Sequence, residues 1–257
     1  MTPMMIAQIT DTHVQAAPQR ALGGDASERL LKVVRAINAA SRVPDLVLVT
    51  GDLVNDGGTG DYEHLRKILS QLDIPYFVIP GNHDDRDALR GVFRQDGYLP
   101  ERGYLNYVID GFPLRLIGLD TLYDGHPGGR LCLDRLRWLE EALEAGRDTP
   151  TVLFMHHVPF QSGIAPFDRD PMEGADALAS ILSGNPQVQR VLCGHLHRPV
   201  TTQWHGVTIS VAPSPAFEVT LDLRESAGFS IVPGAAPGYQ LHLWTKTGGL
   251  VSHTLTV

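Results

Sequence analysis

The chain has 257 residues with 29 acidic and 21 basic side chains, so its formal net charge is −8. A hydrophobic content of 43 % argues against a disordered chain, and the length allows one large domain or two small ones. No apolar run approaches the roughly 18 residues of a membrane helix, and the first five residues lack the layout of a signal peptide. These features predict a cytoplasmic protein with no membrane partner.

Charge and cysteine content exclude several further classes of protein. The acidic balance, without a run of Lys or Arg, argues against a protein that grips long nucleic acids. The two cysteines, Cys132 and Cys193, are too few for a disulfide framework and too far apart for a redox pair or a thiolate metal site. A reducing compartment fits this pattern. The unusual feature of the composition is its 11 histidines.

Apolar runs of strand length alternate with segments of helical period through the first 200 residues, which is typical of an α/β domain. Strands are predicted at residues 4–9, 45–50, 76–79, 114–119, 151–155 and 188–193. Helices are predicted at residues 27–40, 62–72, 133–145 and 175–182. Asp25 and Glu28 are placed like a capping box for the first helix. Asp61 and Asp134 are the predicted N-caps of the second and third.

The pattern changes after residue 200, where short alternating stretches indicate β-hairpins. Strands are predicted there at residues 201–204, 207–211, 217–223, 239–244 and 250–257. Residues 226–237, rich in Gly, Ala and Pro, are predicted to form a loop or flap. No stretch reads as a linker. The chain is therefore predicted to be one domain over residues 1–257, with a core at 1–212 and a β-rich segment at 213–257.

Five of the apolar runs end in a polar cluster. The clusters are Thr10-Asp11-Thr12-His13, Gly51-Asp52, Gly81-Asn82-His83-Asp84, His156-His157 and Gly194-His195-Leu196-His197. Because the carboxyl ends of strands in an α/β sheet gather along one edge, the clusters are expected to converge. Asp11 and His13, like His195 and His197, are two residues apart, and in an extended segment both side chains of such a pair point to one side. Imidazole and carboxylate groups without a thiolate predict a site for Zn, Mn, Fe or Co.

Each cluster alone has an ordinary alternative explanation. Asp-x-His, Gly-Asp and Gly-Asn-His-Asp after a strand are common as turns or helix caps, and a tandem His pair can hold one buried and one exposed ring. Their joint occurrence, each at the end of a separate strand, favours a metal centre. Gly51, Gly81 and Gly194 precede ligand candidates at sharp turns, where a side chain would obstruct close approach to a metal or phosphate.

The series of clusters resembles the calcineurin-like metallophosphoesterase superfamily over residues 9–197. The stretch 51–57, with Asn55 where protein phosphatases carry a second Asp, is similar to class III cyclic nucleotide phosphodiesterases and related bacterial glycerophosphodiesterases. The fold that this resemblance implies is a four-layer α-β-β-α sandwich with the site on one edge of the paired sheets, followed here by a β-rich C-terminal extension. It further implies that residues 213–257 form a flap and an oligomerisation segment of a homodimer or larger homo-oligomer.

The resemblance implies two divalent metal ions, Mn, Fe, Zn or Co, bridged by Asp52. The implied ligands are Asp11, His13 and His197 for the first ion and Asn82, His156 and His195 for the second. A hydroxide that bridges the two ions would attack phosphorus, so no covalent enzyme intermediate is required. The bridging carboxylate makes physical sense because it holds the two cations close enough to share that hydroxide.

The resemblance also implies roles around the metals. The candidate catalytic residues are His83, Asp52 and Asn82, and the candidate substrate contacts are Asn82, His83 and His197. His83 would hydrogen-bond the phosphate and protonate the leaving alkoxide. Three further residues are expected to surround the metal ligands without binding a metal themselves. They are Asn55, Asp84 and His157. Asp84 and His157 would orient His83 or a metal ligand. The alternative role of Asp84 is to cap a helix, and that of His157 is to pack as a buried side chain.

The implied activity is hydrolysis of small phosphodiesters, either 3',5'-cyclic nucleotides such as cAMP or glycerophosphodiesters. A site with two metal ions and few additional Arg or Lys side chains suits a phosphodiester, which carries one negative charge, better than a phosphomonoester, which carries two. The alternatives are a phosphomonoesterase or nuclease of the same superfamily and a non-catalytic scaffold. The acidic net charge disfavours a nuclease. Residues able to bind a metal ion occupy all seven ligand positions, which disfavours a non-catalytic scaffold. Aromatic residues that could wall a pocket, although core packing is their ordinary role, are Phe160, Phe167, Trp204 and Phe217.

Overall fold

Strands form two β-sheets in the computed structural model, which describes residues 3–16, 24–245 and 247–257. Residues 1–2, part of the amino-terminal segment considered above, lie outside the described residues. The first sheet contains β1 (Met4–Ile9), β2 (Leu46–Thr50), β3 (Tyr76–Ile79), β10 (Gly238–Thr245) and β11 (Gly249–Thr256). Its strand order is β11-β10-β1-β2-β3. Strands β1, β2 and β3 are parallel, and β10 runs antiparallel to both β1 and β11.

The second sheet is built from six strands. They are β4 (Tyr107–Ile109), β5 (Arg115–Leu119), β6 (Thr151–Met155), β7 (Val188–Cys193), β8 (Val200–Trp204) and β9 (Val207–Val211). Their order is β4-β5-β6-β7-β9-β8. The four central strands are parallel, and β4 and β8 pair antiparallel at the two edges. The parallel strands of both sheets are therefore the ones whose carboxyl ends can share a site.

Helices connect the parallel strands. They are α1 (Ala26–Asn38), α2 (Thr59–Leu69), α3 (Arg86–Phe93), α4 (Leu133–Ala145), α5 (Ala165–Asp168) and α6 (Ala175–Ser183). The side chain of Asp25 accepts hydrogen bonds from two backbone N–H groups at the start of α1, as predicted. The predicted caps Asp61 and Asp134 are wrong, because Gly58 and Cys132 precede the two helices. Both carboxylates lie in the first turn instead, where the helix dipole favours a negative charge.

Three apolar clusters show the order of the layers. Helices α1 to α3 pack on the first sheet through residues such as Leu30 and Leu65. Residues of the first sheet, such as Leu48, meet residues of the second, such as Phe154, in the cluster between the sheets. Helices α4 and α6 cover the second sheet through residues such as Leu139. This helix-sheet-sheet-helix order confirms the predicted four-layer sandwich.

The C-terminal segment divides into an irregular part and a hairpin. The strand predicted at 217–223 is wrong, because this stretch makes only an isolated bridge, Val219 to Ile231, and exposes Leu221 and Leu223. The later hairpin, β10 and β11, adds directly to β1, with Met4 opposite Trp244. The hairpin therefore completes the first sheet. Its part in oligomerisation stays a prediction, as does the division of the chain at residue 212.

Among the described residues, no helix combines the length and the hydropathy that crossing a lipid bilayer requires.

Candidate metal centre

The carboxyl ends of β1, β2, β3, β6 and β7 bring the five predicted clusters to one edge of the paired sheets. The backbone N–H of His195 lies 3.0 Å from Asp11 Oδ2, although the two residues are 184 positions apart. The backbone N–H of His83 donates to Asp52 Oδ1 over 2.9 Å, which joins the loop after β3 to the end of β2. The predicted convergence is therefore present in the structure.

One group of candidate ligands lies after β1, β2 and β7. The ligand atoms of its four buried members, Asp11, His13, Asp52 and His197, all lie within 4.8 Å of one another. His197 Nε2 is 3.3 Å from Asp11 Oδ1. The other ring nitrogen, Nδ1, lies 3.2 Å from the carbonyl oxygen of Phe217. Since a carbonyl only accepts, Nδ1 carries the proton and Nε2 keeps its lone pair toward the group.

In the second group, the ligand atoms of His156, His157 and His195 also lie within 4.8 Å of one another, and Asp52 adjoins both groups. His156 Nε2 lies 3.4 Å from Asp52 Oδ2, and His13 Nε2 lies 3.7 Å from the same oxygen. The ring of His195 is 5.2 Å from that of His156, centroid to centroid. His156 Nε2 and Asn82 Oδ1 are buried without a hydrogen-bond partner among the described residues. Buried polar atoms left unpaired are costly, and an imidazole nitrogen and an amide oxygen are suitable ligands for a divalent cation.

The charges of the site depend on one another. Burial opposes ionisation of Asp52, but His156 and His13 outweigh it and hold the pKa of Asp52 well below its usual value. Burial opposes protonation of His156, but Asp52 and Asp11 outweigh it and raise the pKa of His156 to about 9. Burial, supported by Asp52, raises the pKa of Asp11 to about 7. Burial lowers the pKa of His13 to about 4 and that of His195 to about 3, so both rings are neutral and able to bind a metal at pH 7.

Five of the seven predicted ligands have a left-handed backbone. The φ values are 53° at Asp11, 43° at His13, 49° at Asp52, 73° at His195 and 53° at His197. Non-glycine residues rarely adopt this conformation, which costs on the order of 1–3 kcal/mol each. The expected extended geometry of the Asp-x-His and His-x-His pairs is therefore wrong. Tight turns after the strands bring these side chains together instead.

Hydrogen bonds from a neighbouring strand end hold two of these turns. The N–H of Asp11 donates to the carbonyl of Gly51 over 2.9 Å, and the N–H of His13 donates to the carbonyl of Asp52 over 3.0 Å. The strained backbone of one cluster is thus supported by the backbone of the next. Strain that the surrounding structure supports in this way is typical of functional sites.

Three glycines make the close approach feasible, as predicted. A Cβ atom on Gly51 would lie 2.5 Å from His156 Nδ1. A Cβ atom on Gly81 would overlap the Asp52 carboxylate, and one on Gly194 would overlap the Thr10 hydroxyl. Any side chain at these positions would displace a ligand or the segment that carries one.

His83 stands at the exposed rim of the site. Its ring centroid is 4.8 Å from that of His13, in an edge-on arrangement. His83 Nδ1 donates to the carbonyl oxygen of Asn55 over 2.9 Å. The Asn55 side-chain amide donates to Asp56 over 3.1 Å. The backbone of Asn55, rather than its amide, therefore fixes the orientation of His83.

Asp84 and His157 are both buried, and each has a definite partner. The Asp84 carboxylate accepts from the N–H of Gly81 over 2.7 Å and from the hydroxyl of Tyr62 over 2.9 Å. It also accepts from backbone N–H groups that follow Asp52, so Asp84 ties together two ligand-bearing loops. Asp85 provides the helix cap for α3. His157 Nδ1 lies 2.8 Å from the hydroxyl oxygen of Thr121.

Two buried polar residues that support the site were not predicted from the sequence. Gln8 Nε2 donates to the hydroxyl of Thr50 over 2.9 Å and to the carbonyl of Cys193 over 2.8 Å. Gln8 thus ties the ends of β1, β2 and β7 together. Ser214 Oγ donates to the carbonyl of Asp11 over 2.7 Å. Gln8 could have been recognised from the sequence, because it is one polar residue inside an otherwise apolar strand. A polar side chain buried in a strand requires hydrogen-bond partners.

Comparisons with known proteins agree with this geometry. The family model for calcineurin-like phosphoesterases matches residues 4–199. The probable glycerophosphodiester phosphodiesterase GpdQ of Arcobacter nitrofigilis is 37 % identical over 253 residues, which cover 98 % of this chain and 92 % of that protein. The 3',5'-cyclic adenosine monophosphate phosphodiesterase CpdA of Escherichia coli is 30 % identical over 230 residues, covering 89 % and 82 %.

Solved structures show the same fold at low sequence identity. A dimetal phosphatase from Danio rerio matches with a TM-score of 0.66 at 13 % identity, over 98 % of both chains. A purple acid phosphatase from yellow lupin matches with a TM-score of 0.67 at 15 % identity, over 99 % of this chain and 54 % of the plant protein. With the family match over most of its length and relatives at 30 % identity or more, the chain belongs to the calcineurin-like phosphoesterase family.

Proposed function

We propose that this protein is a metal-dependent phosphodiesterase that hydrolyses small phosphodiesters. The observation that carries the proposal is the position of Asp52 between the two groups of ligands, with Oδ2 3.7 Å from His13 Nε2 and 3.4 Å from His156 Nε2. A carboxylate so placed can bridge two cations. The similarity to GpdQ and CpdA, both named as phosphodiesterases, supports a diester substrate.

The residues divide into two metal sites that share Asp52. The proposed ligands are Asp11, His13 and His197 for the first ion and Asn82, His156 and His195 for the second. This donor set suits Mn, Fe, Zn or Co. When bound, two such cations lower the pKa of a shared water toward neutrality and offset the charge of the phosphate oxygens.

His83 is proposed as the residue that positions the phosphate and protonates the leaving group. Its Nδ1 proton is engaged by the carbonyl of Asn55, so the ring plane is fixed. The opposite nitrogen, Nε2, can donate a hydrogen bond to the phosphate when the ring is doubly protonated and then pass that proton to the leaving alkoxide. The exposed position of His83 gives a substrate direct access to it. Asn82 and His197 are the other proposed substrate contacts.

The surroundings of the site favour a diester over a monoester. Arg198 and Arg86, two cations near the motifs in sequence, already have anionic partners. Arg198 pairs with Glu218 at 2.7 Å, and Arg86 pairs with Asp120 at 2.6 Å. A dianionic monoester would be stabilised by additional cationic side chains that have no anionic partner. A singly charged diester needs only the metal ions to offset its charge. Phosphomonoesterase activity is therefore the second candidate.

A cytoplasmic homodimer or larger assembly is proposed for this enzyme. Three apolar side chains of the irregular C-terminal part are exposed, Leu221 at 54 %, Leu223 at 64 % and Phe229 at 50 %. Contact with a second copy would remove this apolar surface from water. Light scattering is expected to give a mass above the 28.1 kDa of one chain, and a monomer would contradict the assembly.

The activity is tested with metal-stripped protein to which Mn²⁺ is returned. The substrates are cAMP, a glycerophosphodiester, bis-p-nitrophenyl phosphate and the monoester p-nitrophenyl phosphate. We expect Mn²⁺-dependent hydrolysis of diesters that exceeds hydrolysis of the monoester. Protein that binds metal and leaves every diester intact would contradict the proposal.

A further inference from the structure

A buried hydrogen-bond network joins the C-terminal hairpin to the strand ends that carry the metal ligands. His242 lies in β10, and its side chain is fully buried. Its Nε2 atom is 3.0 Å from Gln8 Oε1 in β1, and its Nδ1 atom is 2.7 Å from Ser252 Oγ in β11. The proposed chemistry uses neither His242 nor Ser252. A buried imidazole that binds no metal and touches no substrate requires another explanation.

The proton positions in this network are fixed at the end nearer the metal centre. Gln8 Nε2 donates to the carbonyl oxygen of Cys193 over 2.8 Å. Because a carbonyl only accepts, this end of the amide must be its NH₂ group, and Oε1 must face His242. Oε1 also only accepts, so His242 Nε2 carries the ring proton and donates it to Gln8. His242 Nδ1 then keeps its lone pair toward Ser252.

The opposite end of the network requires the same arrangement. Arg190 in β7 donates from Nη1 to Ser252 Oγ over 2.9 Å and from Nη2 to the carbonyl oxygen of Leu250 over 2.7 Å. Since a guanidinium only donates, Ser252 Oγ accepts from Arg190 and directs its own proton to His242 Nδ1. Burial and the charge of Arg190 lower the pKa of His242 to about 3. The ring is therefore neutral at pH 7, with its proton on Nε2.

All hydrogen bonds of the network consequently run in one direction. The successive donors are Arg190, Ser252, His242 and Gln8. With the other tautomer of His242, the lone pair of Nε2 would oppose Gln8 Oε1. Rotation of the Gln8 amide would relieve that contact but would place Oε1 against the Cys193 carbonyl, again opposing two acceptors. The proton position on His242 thus decides whether Gln8 can donate toward the metal centre.

Gln8 donates to two strand ends that hold ligands of the proposed second ion. The hydroxyl of Thr50 accepts from Gln8 over 2.9 Å, and the carbonyl of Thr50 accepts from His156 Nδ1 over 2.8 Å. Cys193 ends β7, immediately before the loop that carries His195. The Gln8 amide therefore joins the segments that position both histidines.

We propose that His242 is a positioning residue for the second metal ion, acting through Gln8 from the C-terminal hairpin. The inference rests on the proposed metal-dependent phosphodiesterase function and deepens it. Ser252 and Arg190 act one step further away, because they hold His242 in the tautomer that donates to Gln8. The hairpin that completes the first sheet thereby also shapes the metal centre.

Paired serine variants separate this role from general stabilisation. Ser252 and Ser210 both accept from Arg190 Nη1 over 2.9 Å, and Ser252 is the one that also bonds to His242 in the described part of the chain. Ser252→Ala is expected to weaken binding of the second Mn²⁺ ion by about threefold, within the contribution of one neutral hydrogen bond. Ser210→Ala should leave this affinity unchanged. Equal weakening by both variants would overturn the positioning role.

A second pair of variants acts at His242 itself. His242→Leu is expected to weaken binding of the second Mn²⁺ ion by about tenfold, since partners of ligating histidines contribute 10–100-fold. His242→Gln should restore most of the affinity, because its amide nitrogen can donate from nearly the position of Nε2. Competition with a chelator measures both. Unchanged affinity in His242→Leu, or equal loss in the two variants, would contradict the inference.

Nuclear magnetic resonance of the metal-free protein shows the proton position directly. The nitrogen shifts of His242 should indicate a protonated Nε2 and a bare Nδ1 in the wild type and in Ser210→Ala, and a shift toward the other tautomer in Ser252→Ala. A wild-type ring protonated on Nδ1 would overturn the inference and leave the phosphodiesterase proposal standing. Wild-type protein that binds two Mn²⁺ ions and hydrolyses no diester would overturn only the phosphodiesterase proposal. Failure to bind a second ion would overturn both.

Discussion

His156 donates a 2.8 Å hydrogen bond from Nδ1 to the backbone carbonyl of Thr50. This bond leaves Nε2 free to bind a metal, 3.4 Å from Asp52 Oδ2. Thr50 is itself fixed by Gln8, whose amide donates to the Thr50 hydroxyl. The geometry of the proposed second metal site therefore depends on a polar side chain buried between the sheets.

Gln8→Leu is expected to weaken metal binding at the second site by about tenfold, because partners of ligating histidines typically contribute 10–100-fold to affinity. It should also lower the free energy of unfolding by about 1–3 kcal/mol, since the Thr50 hydroxyl and Cys193 carbonyl lose a donor. Competition with a chelator measures the affinity. Gln240→Leu is the control, because Gln240 is buried in β10 and donates to Val211 and Thr254. Equal loss of metal affinity in both variants would refute the positioning role of Gln8.

His83→Ala is expected to lower kcat for diester hydrolysis by about 10²–10⁴-fold, the usual contribution of a general acid. Metal content should remain unchanged, because His83 is not one of the proposed ligands. Steady-state kinetics and elemental analysis on the same samples check both statements. His253→Ala, which also removes an exposed imidazole, should retain full activity. A His83→Ala enzyme with normal kcat would remove His83 from the mechanism.

Gly194→Ala is expected to destabilise the protein by about 1–3 kcal/mol or more, because the added methyl group would overlap the Thr10 hydroxyl and crowd the Asp11 carboxylate. Thermal and denaturant unfolding measure this loss. Gly91→Ala is the control in α3, where an added Cβ meets no atom within 4 Å. That substitution should stabilise the helix by about 0.5–1 kcal/mol. A neutral Gly194→Ala would show that the strand end tolerates a side chain.

Metal affinity should rise with pH between about 7 and 9. Burial opposes protonation of His156, but Asp52 and Asp11 outweigh it and raise its pKa to about 9, so the metal-free ring is protonated at pH 7. A metal must displace this proton, so binding tightens by about tenfold per pH unit and levels off above the pKa. Calorimetry in buffers of different ionisation enthalpy counts the released proton. His156→Gln should lose that proton release, and affinity that does not change over this range would contradict the assignment.

The position of the candidate site could be predicted from the sequence because its clusters follow separate parallel strands, whose ends share one edge. The left-handed backbone of Asp11 and His13 could not be predicted, since these turns depend on carbonyl groups from the end of β2. Nor could the role of Ser214, which reaches the Asp11 carbonyl across 203 positions. Contacts of this kind follow from tertiary packing and leave no local pattern.

Errors in the element predictions have equally physical causes. The alternation at 217–223 is typical of a strand, but no neighbouring strand pairs with it beyond one isolated bridge. Strand β4 has only three residues, too few for a recognisable period, and α3 has only eight. The four predicted helices and the six early strands were found because each carries a regularly spaced set of buried apolar residues.

The central claim is that two metal ions, bridged by Asp52, support hydrolysis of a phosphodiester. The most direct test titrates Mn²⁺ into metal-free protein and follows bound Mn²⁺ and glycerophosphodiester turnover in the same samples. We predict two ions per chain, turnover that requires both, and loss of the second ion and of turnover in Asp52→Asn. Full turnover with fewer than two ions, or hydrolysis of monoesters only, would contradict this account.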